Sequence, residues 1–139
     1  MIQPNQLVEQ YIQLVSKPFQ AMPEYDGLES VHMLYETAWV RILVIRSEEK
    51  PDCASIEVET SLPLNASRTS CDCDESKAAK ELLDGMILHL KYMADLCTQG
   101  FQADLVGPDC LWTVSKEFNE IPSEDIFRFL CPPNWREFR

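Results

Sequence analysis

Glycine, histidine and basic residues are scarce in this sequence of 139 residues. It has four glycines and two histidines, and its 12 Lys and Arg residues are outnumbered by 23 Asp and Glu. So few glycines leave no Gly-rich loop whose backbone amides would hold a phosphate group. The formal net charge of -11 argues against a nucleic-acid partner, because no basic cluster is present to displace the counterions of a phosphate backbone.

Long apolar runs are also missing. No stretch approaches the ~18–20 apolar residues that a membrane span requires, and the first residues show neither the basic flank nor the apolar core of an export signal. We therefore expect no membrane association and a cytoplasmic location, where the six cysteines would stay reduced. The length and the 45% apolar share predict one domain over residues 1–139, with a flexible surface loop at about residues 64–74.

The most regular pattern runs from Asp74 to Gly100 and predicts a long helix. Acidic residues stand at its start, where the helix dipole favours negative charge, and Gly100 is a suitable C-terminal stop. At 100° per residue, many of its apolar residues fall within roughly half a turn, which predicts a face packed on a sheet. These residues are Ala78, Ala79, Leu82, Leu83, Met86, Ile87, Leu90, Met93, Ala94, Leu96 and Cys97.

Two apolar residues of this helix fall outside that face. Leu88 and Tyr92 lie together among the charged positions, four residues apart. An exposed apolar pair on a polar surface is typical of a contact with a second chain. We therefore take Leu88 and Tyr92 as the candidate partner-contact residues.

The remaining segments predict an α+β fold of the order α-β-β-β-α-β-β-α, with an antiparallel five-stranded sheet packed on the long helix. A first helix covers residues 4–20, and a last one follows Pro122. Strands are predicted from β-branched and aromatic content or from strict alternation, as in Ser55–Leu62, where Glu57 and Glu59 face water. The five strands are Val31–Tyr35, Trp39–Arg46, Ser55–Leu62, Phe101–Val106 and Leu111–Ser115.

Few residues offer catalytic or metal-binding chemistry. Cys71 and Cys73 are separated by one residue, shorter than the usual zinc spacing, and only Cys53 or a distant histidine would complete a site. His32 and His89 are the only imidazoles available for acid–base catalysis. We expect no cofactor, no metal and no enzymatic activity. The alternatives that stay open are a small metal- or redox-linked protein using Cys71 and Cys73, and an enzyme with a pocket at the sheet edge.

The element order, the size and the acidity together resemble the type III secretion chaperone-like fold, including bacterial and cyanobacterial relatives of unknown function. The resemblance rests on the central strand Trp39–Arg46, Ser61-Leu62-Pro63 before the long helix, the hairpin at Gly107-Pro108 and the closing helix Ser123–Leu130. It implies a bacterial, non-enzymatic protein-binding module. Secretion chaperones are cytosolic homodimers that hold an extended segment of a client protein against apolar patches, so the resemblance implies a homodimer with a protein client.

Overall fold

The computed structural model describes residues 2–37, 39–60, 75–106 and 111–133. Within them lie three α-helices, five β-strands and a single turn of 3-10 helix at Pro23–Tyr25. The helices are α1 (Pro4–Val15), α2 (Glu75–Thr98) and α3 (Glu124–Leu130). The strands are β1 (Glu29–Glu36), β2 (Val40–Ser47), β3 (Ala54–Thr60), β4 (Gln102–Val106) and β5 (Leu111–Phe118). The predicted α+β class and element order are confirmed. The predicted loop at residues 64–74 lies outside the described residues.

The strands form one antiparallel sheet in the order β1-β2-β3-β5-β4. β2 and β3 are central, as the apolar run of β2 predicts, and β1 and β4 are the edges. The register of β1 shifts between Met33 and Tyr35, where a bulge interrupts its pairing with β2. Because paired residues in an antiparallel sheet share a face, the register also shows which side chains lie together.

The three helices contribute to one core on a single face of the sheet. Val44 of β2 and Ile56 of β3, which pair in the register, are fully buried on that face. Tyr11 of α1 meets Phe127 of α3 edge to face, with ring centroids 5.5 Å apart, so the first and last helices pack together. The opposite face of the sheet carries Glu57 and Glu59, as the alternation of β3 predicts.

The end of α2 follows a well-defined capping pattern. The amide of Phe101 donates to the carbonyl of Leu96 at 3.2 Å and that of Gly100 to Cys97 at 3.1 Å, the paired bonds of a Schellman motif. Gly100 has φ 93°, a conformation that suits glycine because it has no Cβ. The ammonium group of Lys116 then donates to the carbonyl oxygen of Gln99 at 2.8 Å, which places a cation at the negative end of the helix dipole.

The predicted buried face of α2 is confirmed for Met93 and Leu96 and wrong for Leu83, Ile87 and Leu90. The core receives His89, Tyr92, Met93 and Leu96, whereas Leu83, Ile87 and Leu90 of the predicted face are 55%, 54% and 50% exposed. In the sequence, apolar residues cover about 260° of the helix surface, more than one sheet can cover. The core takes one half of this apolar arc and leaves the other half in solvent.

Candidate functional site

The most prominent unpartnered feature is an apolar stripe on the solvent side of α2. We call it the outer stripe, and its members are Leu83, Ile87, Leu90, Ala94 and Cys97, all of them exposed. Their spacing alternates between four and three residues, so they lie within about 80° of one another around the helix axis and extend over about 21 Å. That spacing is the heptad pattern of helices that pair with another helix.

Among the α2 side chains that the structure describes, charged residues border the outer stripe on one side. Asp84 and Lys91 are exposed and lie about 80–100° from Leu83 around the helix. Neither forms an ion pair with any residue that the structure describes. On its other side the stripe adjoins Met93, which belongs to the core. The stripe is therefore bordered by the apolar Met93 on one side and by the oppositely charged Asp84 and Lys91 on the other.

The residues predicted as partner contacts do not belong to this surface. Tyr92 is 5% exposed and its hydroxyl donates to the carbonyl oxygen of Leu130 at 2.6 Å, while Leu88 is half-buried against the core. Leu130 is the last residue of α3, so its carbonyl has no partner within the helix. Tyr92 is thus a structural link between α2 and α3, and the prediction that it is exposed is wrong.

The two histidines lie in different surroundings. His89 is 2% exposed, its Nε2 has no described hydrogen-bond partner, and its ring meets Trp39 edge to face at 5.8 Å. Burial lowers the pKa of His89, so the neutral imidazole is favoured. His32 is half-buried on β1, opposite Val44. The two rings belong to separate sites, because His32 lines a cleft and His89 lies in the core.

The cysteines that the structure describes show no metal-binding arrangement. Cys53, Cys97 and Cys131 are free thiols, and no group of three or more His, Cys, Asp or Glu side chains in the described part of the chain is arranged to hold a metal ion. Burial raises the pKa of the Cys131 thiol, which favours its unreactive protonated form. Cys71 and Cys73 lie outside the described residues.

A carboxyl pair lies on the sheet face opposite the helices. Burial raises the pKa of Glu57, and the neighbouring carboxylate of Glu59 and its hydrogen bond with Glu57 raise it further. Arg41 approaches Glu59 at 3.6 Å and Glu36 at 3.3 Å. The raised pKa favours protonation of Glu57, and the register places Leu43 and Ser115 beside it.

A large cleft, about 1020 Å³, lies between α1, the segment of residues 17–24 and β1. Its walls include apolar side chains and several polar ones, of which Ser30 and Arg46 are buried and His32 is half-buried. Sequence reasoning did not find this cleft. Ser30 and Arg46 are 16 residues apart and are brought together only by the register of β1 with β2.

Comparison with protein-family models, with curated proteins and with solved structures finds no match to this chain. In the part of the chain that the structure describes, no helix is long and apolar enough to cross a membrane.

Proposed function

We propose that this chain is a non-enzymatic protein-binding module that assembles as a homodimer through the outer stripe of α2. The observation that carries the proposal is the exposure of Leu83, Ile87 and Leu90 in a heptad pattern. Three aliphatic side chains of one helix, each half in solvent, form a contiguous apolar surface of the kind that marks protein contacts.

A second copy of the chain is the occupant that fits the charged margin. In an antiparallel pairing of two α2 helices, Ile87 of one copy faces Leu90 of the other, and Leu83 faces Ala94. The same register brings Asp84 of each copy next to Lys91 of the other, so that two ion pairs form across the interface. A parallel pairing would instead place the charged margins of the two copies on opposite sides of the interface, where Asp84 and Lys91 cannot meet. The charge pattern therefore favours the antiparallel dimer.

The expected affinity is modest. Burying the exposed half of each large aliphatic side chain contributes roughly 1 kcal/mol, so six such side chains contribute roughly 6 kcal/mol before the cost of association is subtracted. That gross energy alone corresponds to a dissociation constant of about 40 µM, so after the cost of association we expect dissociation constants of about 0.1–1 mM, and the assay must span this range.

Sedimentation equilibrium or light scattering after gel filtration tests the dimer. Leu90→Glu should give a monomer, because it places a carboxylate at the centre of the contact. Leu28→Glu is the matched control: Leu28 is 57% exposed and lies on another surface. A wild-type monomer at about 1 mM would contradict the proposal, as would equal weakening by both variants.

A charge exchange tests the orientation of the two helices. Asp84→Lys alone and Lys91→Asp alone should each weaken the dimer, because each produces two like-charge contacts. The double variant should restore association, because the ion pairs are re-formed with their signs exchanged. Additive weakening in the double variant would contradict the antiparallel register.

The client role follows from the resemblance to the secretion chaperone-like fold. We propose that the dimer holds an extended segment of a client protein, with the sheet edges as the acceptors of an added strand. The element order and the antiparallel sheet support this role. The test is to incubate the dimer with a reduced, unfolded model protein and measure whether a stoichiometric complex forms by gel filtration. Failure to capture any extended chain, with the dimer intact, would count against the client role alone.

A further inference from the structure

Arg46 is a largely buried cation without a counter-ion. It lies on the core face of β2 and is 9% exposed. Its guanidinium donates to the carbonyl oxygens of Lys17 at 3.0 Å and Pro51 at 2.9 Å, and it lies 5.7 Å from the centre of the Phe19 ring. None of the carboxylates that the structure describes comes within ion-pair distance of it.

Neutral carbonyl oxygens accept two of the five N–H groups of Arg46 but do not neutralise its charge. Buried charges in proteins are normally compensated by an opposite charge, because desolvation of an ion costs several kcal/mol. The charge of Arg46 is uncompensated in a chain whose net charge is -11. Acidic side chains are therefore abundant, yet none of the described ones forms an ion pair with Arg46.

A second polar group beside Arg46 also lacks a partner. Ser30 pairs with Arg46 across the β1–β2 register, so their side chains share the core face. Ser30 is 2% exposed, and its hydroxyl oxygen has no described hydrogen-bond partner. A buried hydroxyl without a partner costs about 1–3 kcal/mol relative to a satisfied one. An unpaired cation and an unpaired hydroxyl thus lie side by side at the base of the large cleft.

The cleft joins these groups to an apolar wall. Leu14 of α1 and the side chains of Phe19 and Met22 line it together with Ser30, His32 and Arg46. Its volume of about 1020 Å³ exceeds what a single small anion needs and suits an organic molecule. Glu24 and Lys17, both exposed, are the charged groups that also line the cleft.

We propose that this cleft binds a carboxylate attached to an apolar body. The carboxylate accepts hydrogen bonds from the free N–H groups of Arg46. It also accepts one from the hydroxyl of Ser30, once the Ser30 side chain has rotated toward it. The apolar body lies against Leu14, Phe19 and Met22. A planar carboxylate matches the guanidinium fork and needs only one positive charge. A phosphate dianion would need more donors, and Glu24 would repel it more strongly.

Two sources carry this chemistry, a free organic acid and the C-terminal carboxylate of a peptide. The probes that separate them are sodium hexanoate, N-acetyl-dileucine with a free carboxylate, and the same dipeptide as its amide. Binding to the full-length chain is followed by calorimetry and by the shift in melting temperature, with sodium chloride at equal ionic strength as the reference.

Ser30→Ala is the decisive variant, because it removes the unpartnered hydroxyl without leaving a buried polar group. We expect it to weaken acid binding about five- to tenfold while the melting temperature of the free chain stays the same or rises. Arg46→Lys should weaken binding further, since an ammonium group cannot reproduce the fork. Arg41→Gln, on the opposite face of the sheet, is the control and should leave binding unchanged.

Saturable binding of an acid that Ser30→Ala weakens would support the site. Preference for the dipeptide acid over hexanoate identifies a chain terminus as the ligand, and the reverse preference identifies a free acid. No saturable binding of either acid would overturn the proposal. Equal binding of the dipeptide acid and its amide would overturn it too, because the carboxylate would then contribute nothing. The outer stripe of α2 is separate from this cleft, so dimerisation and acid binding can fail independently.

Discussion

Tyr92→Phe should destabilise the fold although it removes a single oxygen atom. The hydroxyl of Tyr92 donates the hydrogen bond that satisfies the carbonyl of Leu130 at the end of α3, and the ring is 5% exposed. Without the hydroxyl, this buried carbonyl loses the hydrogen bond that it accepts from Tyr92. Leaving a buried acceptor unsatisfied costs about 1–3 kcal/mol, and we expect about 2 kcal/mol here because the bond is short. For a chain of this length, that loss lowers the melting temperature by about 5–10 °C.

Tyr25→Phe is the matched control for this experiment. Tyr25 lies in the 3-10 turn and is 41% exposed, so the loss of its hydroxyl should change the free energy of unfolding by less than about 0.5 kcal/mol. Urea denaturation followed by tryptophan fluorescence and circular dichroism measures both variants. The protein concentration must be the same throughout, because a dimer gains stability by mass action.

A titration of tyrosine ionisation gives an independent measurement. Burial raises the pKa of Tyr92 strongly, so its phenol should ionise only when the chain unfolds in alkali. In the absorbance titration, Tyr92→Phe should therefore show one fewer tyrosine that ionises only at the pH of alkaline unfolding. The assignment of Tyr92 to the core would be refuted if Tyr92→Phe matched Tyr25→Phe in stability and left the late ionisation unchanged.

Further predictions concern His89 and two glycines. Because burial lowers the pKa of His89, the unfolded chain binds its proton first as the pH falls below about 6.5, and stability should decrease there. His89→Leu should remove the part of this decrease that His89 causes, and it leaves no buried nitrogen without a partner. The measurement is the urea midpoint at pH 7.5 and at pH 5.5, and an equal difference between the two in wild type and His89→Leu would contradict the role of His89. Gly100→Ala should cost about 0.5–1 kcal/mol more than Gly27→Ala. Both glycines have positive φ, but only at Gly100 does the added Cβ meet the Lys116 ammonium, at 2.8 Å, so that this flexible side chain must shift and weaken its bond to the carbonyl of Gln99. Thermal melts of the two glycine variants would show the difference, and equal losses would mean that Lys116 moves aside freely.

The elements of this fold were predictable because each has a local signal. Alternation in Ser55–Leu62 predicts a strand with Glu57 on the outer face, and the structure has this strand at Ala54–Thr60. Gly100 predicts the end of α2 because a glycine accommodates the left-handed turn of the C-terminal cap. Local conformational preferences and the period of apolar residues do not depend on distant contacts, so both can be identified from the sequence alone.

The orientation of α2 was not predictable in this way. Its apolar arc is wide enough to place either half against the sheet, and the choice depends on contacts with distant residues. Tyr92 turns inward because Leu130 offers it an unsatisfied carbonyl, and its ring meets Trp39 at 6.2 Å. The heptad spacing of Leu83, Ile87 and Leu90 is present in the sequence. A helix face buried against a sheet shows the same spacing, so the spacing alone does not tell whether this face is buried or exposed.

By itself, the sequence determined the α+β class, the order of the elements and the acidity of the chain, because these follow from local propensity, apolar periodicity and composition. Only the tertiary structure decided which half of α2 faces solvent and which polar groups share the cleft. Ser30 and Arg46 become neighbours through strand register, and Phe19 reaches Arg46 through the path of the segment after α1. Such juxtapositions depend on long-range pairing, which no short stretch of sequence encodes.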